Sequence, residues 1–253
     1  MTSERTGSGE PSRTLALLWG QPVEPRKGPA RSITAAKIVA AALALADDEG
    51  LAAVTMRAVA ERVGVSTMSV YTYVPGKPEL LDLMVDALYL SMERPDWGAQ
   101  SWRERLEAVA ESNRMLLAAH PWLTEVAALS RPPLGPGVMA KYEHELSAFD
   151  GAGLSDVDVD AALAYLLGFV QSHCRAAHDA DRATTDTALS DAEWWAANQP
   201  LLARAFDPAV YPRAARIGAA AGEAQGSAWD AGRAWRFGLA RTLDGLAALI
   251  DAG

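Results

Sequence analysis

The side chains best equipped for chemistry lie in the run His173-Cys174-Arg175-Ala176-Ala177-His178-Asp179-Ala180-Asp181. Thiolate, imidazole and carboxylate are the usual donors for zinc or iron, so the run invites a metal-centred reading. At 100° per residue His173 and His178 point about 140° apart, and on a straight helix they cannot share an ion. Cys174, His178 and Asp181 do share a face, yet three ligands on one helix need a fourth from elsewhere to close a tetrahedral cage. An all-helical metal-dependent enzyme using Cys174 and His178 is therefore the alternative, and the leading expectation has no metal, no cofactor and no catalytic residue. No Gly-x-Ser-x-Gly elbow, phosphate loop or His-Glu-x-x-His occurs. Gly135 and Gly137 lack the third glycine and the preceding strand of a dinucleotide fingerprint.

A different chemistry, hydrogen bonding to a nucleic-acid groove, is offered by Leu51 to Leu81, LAAVTMRAVAERVGVSTMSVYTYVPGKPELL. Met56, Val59, Ala60 and Val63 fall at i, i+3, i+4 and i+7, one face of a helix that Thr55 is placed to cap. Gly64 breaks the period where a sharp turn is needed, and Ser66 and Thr67 restart it as caps of a short helix over about 67–73. Val70 and Val74 lie on one side of that helix; Met68, Ser69, Tyr71 and Thr72 lie on the other. Hydroxyls, a phenol and a methionine, with no carboxylate among them, suit a duplex groove: the hydroxyls for phosphates or base edges, Met68 for thymine methyls. Lys77 opens the next helix, where its charge and the free backbone amides attract phosphate, and Arg57 is a second such cation.

Ile38 to Leu81 resembles the DNA-binding domain of TetR-type transcriptional regulators, in the order IVAAALALADDEG, VTMRAVAERVGVS, TMSVYTYVPGKPELL, and Val70 to Lys77 is the most specific part. The resemblance implies groove and phosphate contacts from Arg57, Thr67, Met68, Ser69, Tyr71, Thr72, Tyr73 and Lys77, with Thr55 at the edge of the same surface. It implies double-stranded DNA with a palindromic operator as partner, a homodimer, and a body that encloses a small inducer. The body is also similar to the tetracycline-repressor class through LSRPP after Ala128 and GFVQSH in a long helix. It departs where that class has a metal-chelating histidine, since Ala128 or Leu129 stands there, so a magnesium-chelated ligand is not expected.

Composition agrees with a helical protein of this kind. Half of the 253 residues are apolar, enough to bury a sizeable core. The longest apolar stretch, Ile38 to Ala46, is far short of the roughly 18 residues that cross a bilayer, and Leu15 to Trp19 is too short and wrongly flanked for a secretory signal. With a single cysteine, a cytoplasmic protein is expected. The net charge of −9 is unevenly shared: residues 1–80 hold nine Lys and Arg against eight Asp and Glu, so the acid belongs to the remainder. A near-neutral head with local cations is compatible with DNA.

The elements that must position these groups follow from breaks in the pattern. Residues 1–31 read as a flexible N-terminal arm, disordered to residue 14, with a small apolar knot at Leu15 to Trp19 able to pack back. Arg26, Lys27 and Arg31 lie just ahead of the helix-turn-helix and could reach a minor groove. Residues 32–95 form the head and a linker helix, whose buried line is Leu80, Met84 and Leu88, with Pro95 as the stop. Residues 96–253 form an all-helical ligand-binding and dimerisation body, opened by the capping box Ser101-Trp102-Arg103-Glu104. Ser155 starts a long helix to about Asp179, followed by a polar, mobile 181–189. Ser190 and Glu193 form a second capping box, and 213–227 are left unassigned.

The last helix spaces Trp235, Leu239, Thr242, Leu246 and Leu249 by 4, 3, 4 and 3, a coiled-coil-like seam. Internal packing and a dimer contact both fit that spacing. The resemblance implies that this helix and the long one, through residues such as Leu166 and Val170, build the dimer bundle. Trp122, Phe169 and His173 are the pocket candidates. The fold class expected is all-α, a three-helix helix-turn-helix head joined by a linker helix to a helical body. The function expected is ligand-responsive repression, with activation as a variant.

Overall fold

The computed structural model describes residues 5–20 and 33–251, and every regular element among them is helical. In order they are α1 (Pro11–Leu18), α2 (Ala35–Glu49), a 3-10 turn (Leu51–Ala53), α3 (Met56–Val63), α4 (Thr67–Tyr71) and α5 (Lys77–Ser91). The body follows as α6 (Trp102–Ala119), α7 (Leu123–Val126), α8 (Pro136–Ser147), α9 (Asp156–Thr187), α10 (Asp191–Ala205), α11 (Pro212–Gln225) and α12 (Ala231–Ile250).

Local chemistry sets most boundaries. Thr34 accepts from Lys37 N, Thr55 from Ala58 N, Ser66 from Ser69 N and Ser155 from Asp158 N, each satisfying a donor that the first helical turn leaves open. Both expected capping boxes close in both directions, Ser101 with Glu104 and Ser190 with Glu193. The break after α3 is Gly64 at φ +78, a left-handed position that side chains disfavour.

Head and body share one continuous buried cluster running from Ile33 to Leu246. In the head, Ile38, Ala42 and Leu45 of α2 meet Met56, Val59 and Val70, and α5 closes the base with Leu80, Leu81 and Met84. α5 then packs closely along α8. A side chain at Gly137 would place its Cβ 1.9 Å from the Asp86 carbonyl, so only glycine lets the two backbones approach this far. α9 packs on α6 and α12 through Leu163, Leu166, Val170, Leu243 and Leu246.

Three segments differ from the expectation. Residues 5–20 are folded onto the protein: Thr6 is buried, its hydroxyl donates to Val126 O and Arg131 O, and α1 lies on α5. The knot at Leu15 to Trp19 does pack back, with Trp19 Nε1 donating to Leu134 O at 2.8 Å. α9 runs two turns past Asp179, because its continuation lacks Gly and Pro, and the Thr185 and Thr187 hydroxyls bond back to the Asp181 and Ala183 carbonyls. Residues 213–227 are mostly helix as α11, ended by Gly226 at φ +65. No residue of α10 or α11 is buried.

Candidate nucleic-acid interface and effector cavity

Val70 and Val74 are fully buried, which fixes the rotation of α4 and turns Met68, Tyr71 and Thr72 outward. Met68 is 74% exposed and Tyr71 43%, so both are open to a second surface. Ser69 and Thr67 are half-buried at the edge of this face, and Tyr73 packs partly into the core. The hydroxyls already hold local bonds: Ser69 Oγ lies 2.9 Å from Ser66 Oγ, Thr72 donates to Met68 O, and Thr55 accepts from Ala58 N. Each can exchange a short-range bond for one to a phosphate, and none is committed to the core.

Arg57 is exposed and its Nε donates to Glu61 at 2.8 Å, an i,i+4 pair that keeps the guanidinium beside the outward face. Lys77 is the first residue of α5, at a helix start whose backbone amides have no side-chain cap. Arg26, Lys27 and Arg31 lie outside the described residues.

Behind the head, α5, α8, α9 and the loop 127–134 enclose a cavity of about 330 Å3. Its wall is mostly apolar, with Val85, Leu129, Pro132, Val138, Leu163 and Leu167, and a few polar groups converge at one end. Lys141 Nζ pairs with Glu145 at 2.6 Å, both nearly excluded from water, and sits 5.1 Å from the Tyr89 ring centre. Asn113 donates to the other oxygen of Glu145. Burial, and after it the charge of Glu145, pushes the Tyr89 phenol well above its ordinary value, so it stays protonated and able to donate. Tyr142 donates to Asp160 at the mouth, which likewise raises its phenol.

The pocket candidates read from sequence lie elsewhere. Trp122 is 3% exposed and donates to Asp47 Oδ1 at 2.7 Å, the same oxygen that meets His120 Nδ1, so it clamps α2 to the body. Phe169 stacks on Trp235 between α9 and α12, His173 stands tilted against the same ring, and Phe169 fills the space where a side chain at Gly238 would stand. An aromatic residue on a long helix fills a core as readily as it lines a pocket, and sequence could not separate the two. The cavity's Lys141 and Glu145 were missed because an i,i+4 ion pair ordinarily marks a solvated face.

The dimer candidates are placed inside the chain for the most part. Leu166, Val170, Thr242 and Leu246 are buried within the subunit, Trp235 and Leu239 are half-buried against α9, and Leu249 is 43% exposed. The seam is therefore the intrachain contact of α12. The opposite side of the same two helices is open: Val157, Tyr165 and Phe237 are 60% exposed or more, and nothing stands within 4 Å of a side chain built at Gly168 or Gly245.

Cys174 is buried, and desolvation pushes its thiol up to about 11, the reverse of what a metal-bound thiolate needs. Among the described residues no three His, Cys, Asp or Glu stand close enough together to hold a metal ion. No described helix is long and apolar enough to cross a membrane.

Two family models match this chain. Residues 38–84 match the bacterial regulatory proteins of the tetR family, and residues 94–250 match the tetracyclin repressor-like C-terminal domain. The chain is 40% identical over 250 residues to the HTH-type transcriptional repressor DrrR1 of Streptomyces coeruleorubidus, covering 98% of this chain and 90% of that protein. Among solved structures it is similar to ActR of Streptomyces coelicolor in complex with actinorhodin, with a TM-score of 0.71 and 27% identity over 86% of this chain and 96% of that one. It is also similar to BioQ bound to its double-stranded DNA operator, with a TM-score of 0.50 and 27% identity over 58% of this chain and 88% of that one.

Proposed function

The chain belongs to the TetR family of bacterial regulatory proteins, and from that membership we propose that it is a homodimeric cytoplasmic repressor whose operator binding is released by a small molecule in the cavity behind the head. The observation that carries this reading is the placement of α5. The helix starts at Lys77 beside the outward face of α4, and its Val85 and Tyr89 line the cavity. A ligand that needs more room between α5 and α8 than their packing allows must move α5, and with it the head. In a two-fold dimer, rotating both heads changes the spacing of the two α4 helices, which must match half-sites about 34–36 Å apart for one turn of duplex. A coupling free energy of about 1–3 kcal/mol is enough for release over a useful range of ligand concentration.

In this reading Met68, Ser69, Tyr71 and Thr72 meet base edges, while Arg57, Thr55, Thr67, Tyr73 and Lys77 fix the head on the backbone. The division of the chain is a DNA-binding head to about residue 95 and a ligand-binding, dimerising body beyond it. The ligand class follows from the relatives and the wall: ActR was crystallised with actinorhodin and with (S)-DNPA, and this cavity offers an apolar wall with a phenol and an ion pair at one end. A mainly apolar molecule carrying acidic or carbonyl oxygens fits that pattern. The dimer is proposed on the open side of α9 and α12, around Val157, Tyr165, Gly168 and Phe237.

Tyr71→Ala tests the reading face. Specific binding to an operator duplex should fall at least tenfold at about 0.15 M salt, a concentration that suppresses purely electrostatic retention. Sedimentation should still give a dimer. Unchanged operator affinity, or loss of the dimer with it, would count against the assignment.

A further inference from the structure

The loop 128–134 is a wall with open space on both sides. Ala128, Leu129 and Leu134 face the cavity behind the head, and a second cavity of about 330 Å3 lies on the far side, between the loop, α1 and the start of α5. Pro132, Pro133 and Leu134 line both. The two prolines carry no backbone donor, and among the described residues the loop makes one hydrogen bond of its own, Arg131 N to Ala128 O at 3.3 Å. Its other bonds come from the N-terminal segment. Thr6, 2% exposed, gives its backbone N–H to Val126 O at 3.1 Å; its hydroxyl accepts from Ala128 N at 3.2 Å and reaches Val126 O and Arg131 O with its one proton. Trp19 Nε1 donates to Leu134 O at the other end. Gly7, at φ +71, permits this seat, since a Cβ there would stand 3.0 Å from both Cβ and the carbonyl oxygen of Arg131.

The same segment is tied to the linker helix. Gly7 N donates to Asp82 Oδ1 at 2.8 Å, Glu10 N reaches Glu79 Oε1 at 3.4 Å, and α1 packs on α5. The bond to Asp82 asks only for an acceptor oxygen, so it survives the burial that raises the pKa of that carboxyl. A wall with so little packed against it has low local stability, and the few bonds that pin it decide where it stands. We propose that residues 6–19 are a latch on the effector cavity: Thr6 and Trp19 hold the two ends of its movable wall, and Gly7 and Glu10 pass the wall's displacement to the start of α5. The latch rests on the reading of that cavity as the effector site. A ligand that swells the cavity pushes the loop toward the second cavity, and the pull arrives on α5 within two turns of Lys77. Without ligand, the closed latch holds α5 still and so presets the heads.

Hydrogen exchange read by mass spectrometry on the full chain compares Thr6→Val, which keeps the shape and loses the hydroxyl, with Thr6→Ser, which keeps the hydroxyl. Amides from Ala128 to Arg131 should exchange about tenfold faster in Thr6→Val and within about twofold of the unsubstituted chain in Thr6→Ser. The first two turns of α5 should speed up with them, and α6 and α9 should not. Trp19→Phe removes only the bond to Leu134 at an exposed position, should loosen the loop from that end, and carries the test if thermal melting shows Thr6→Val unfolded. The second readout is affinity for the operator duplex recovered by genomic selection, with no effector added. It should fall at least threefold in Thr6→Val and return in Thr6→Ser, because a freed α5 no longer presets the spacing of the heads. Unchanged exchange in the loop, or a loosened loop with α5 and operator affinity unaltered, would overturn the proposal. If the unsubstituted chain retains no operator, the effector reading fails, and the exchange contrast decides the latch by itself.

Discussion

His173 stands against Phe169, Trp229 and Trp235, with the Arg114 guanidinium over the Trp235 ring, and burial followed by that positive charge lowers its pKa from 6.5. Burial does the same to His144, stacked on Trp97. The unfolded chain therefore takes up protons near pH 6.5 while the native rings stay neutral, so this contribution to stability is present above the unfolded value and is lost as pH falls below it. We expect the melting temperature to drop between pH 7 and 5.5, and to drop less for His173→Phe; an equal drop in that variant would remove His173 from the account. Residue identities were legible in sequence where type and exposure go together. The buried Val70 and Val74 and the outward Met68 and Tyr71 follow from a 100° rotation alone. Trp122, Phe169 and His173 were not, because their partners, Asp47, Trp235 and Trp229, come from distant segments.

The pairing of α5 with α8 is the joint on which the proposed release turns. Asp86 accepts from Val138 N at 2.9 Å at the start of α8, and Gly137 leaves room for the α5 backbone. Gly137→Ala must push the helices apart, costing about 1–3 kcal/mol by overpacking. Gly218→Ala, on exposed α11 where nothing stands within 4 Å, should instead gain up to about 1 kcal/mol of helix propensity. Urea unfolding of both variants checks the contrast, and a harmless Gly137→Ala would mean that the joint is looser than described. Most helix starts were readable, because a cap is a property of four adjacent residues. The end of α9 and the seat of residues 5–14 were not. Polar composition suggested mobility in both places, whereas the one, free of Gly and Pro, continues as helix with its threonine hydroxyls bonded back to the chain, and tertiary bonds from Thr6 and Gly7 hold the other.

For the whole molecule, two heads must be set at a fixed distance, and α9 and α12 are the elements placed to do so. A 4-3 seam looks the same in sequence whether it faces the chain's own core or a partner. The burial of Leu166, Val170 and Leu246 assigns it to the core and leaves Val157, Tyr165 and Phe237 outside. Tyr165→Glu should therefore dissociate the dimer in sedimentation, with helical content intact and operator affinity lower by at least tenfold; a stable dimer would place the interface elsewhere. The most direct measurement of the central claim is selection of genomic fragments by the purified protein at about 0.15 M salt, followed by sequencing of what is retained. The account predicts one family of palindromic sites whose half-sites are separated by a whole number of helical turns. Retention without a shared palindrome, at the same salt, would contradict a dimeric sequence-reading regulator.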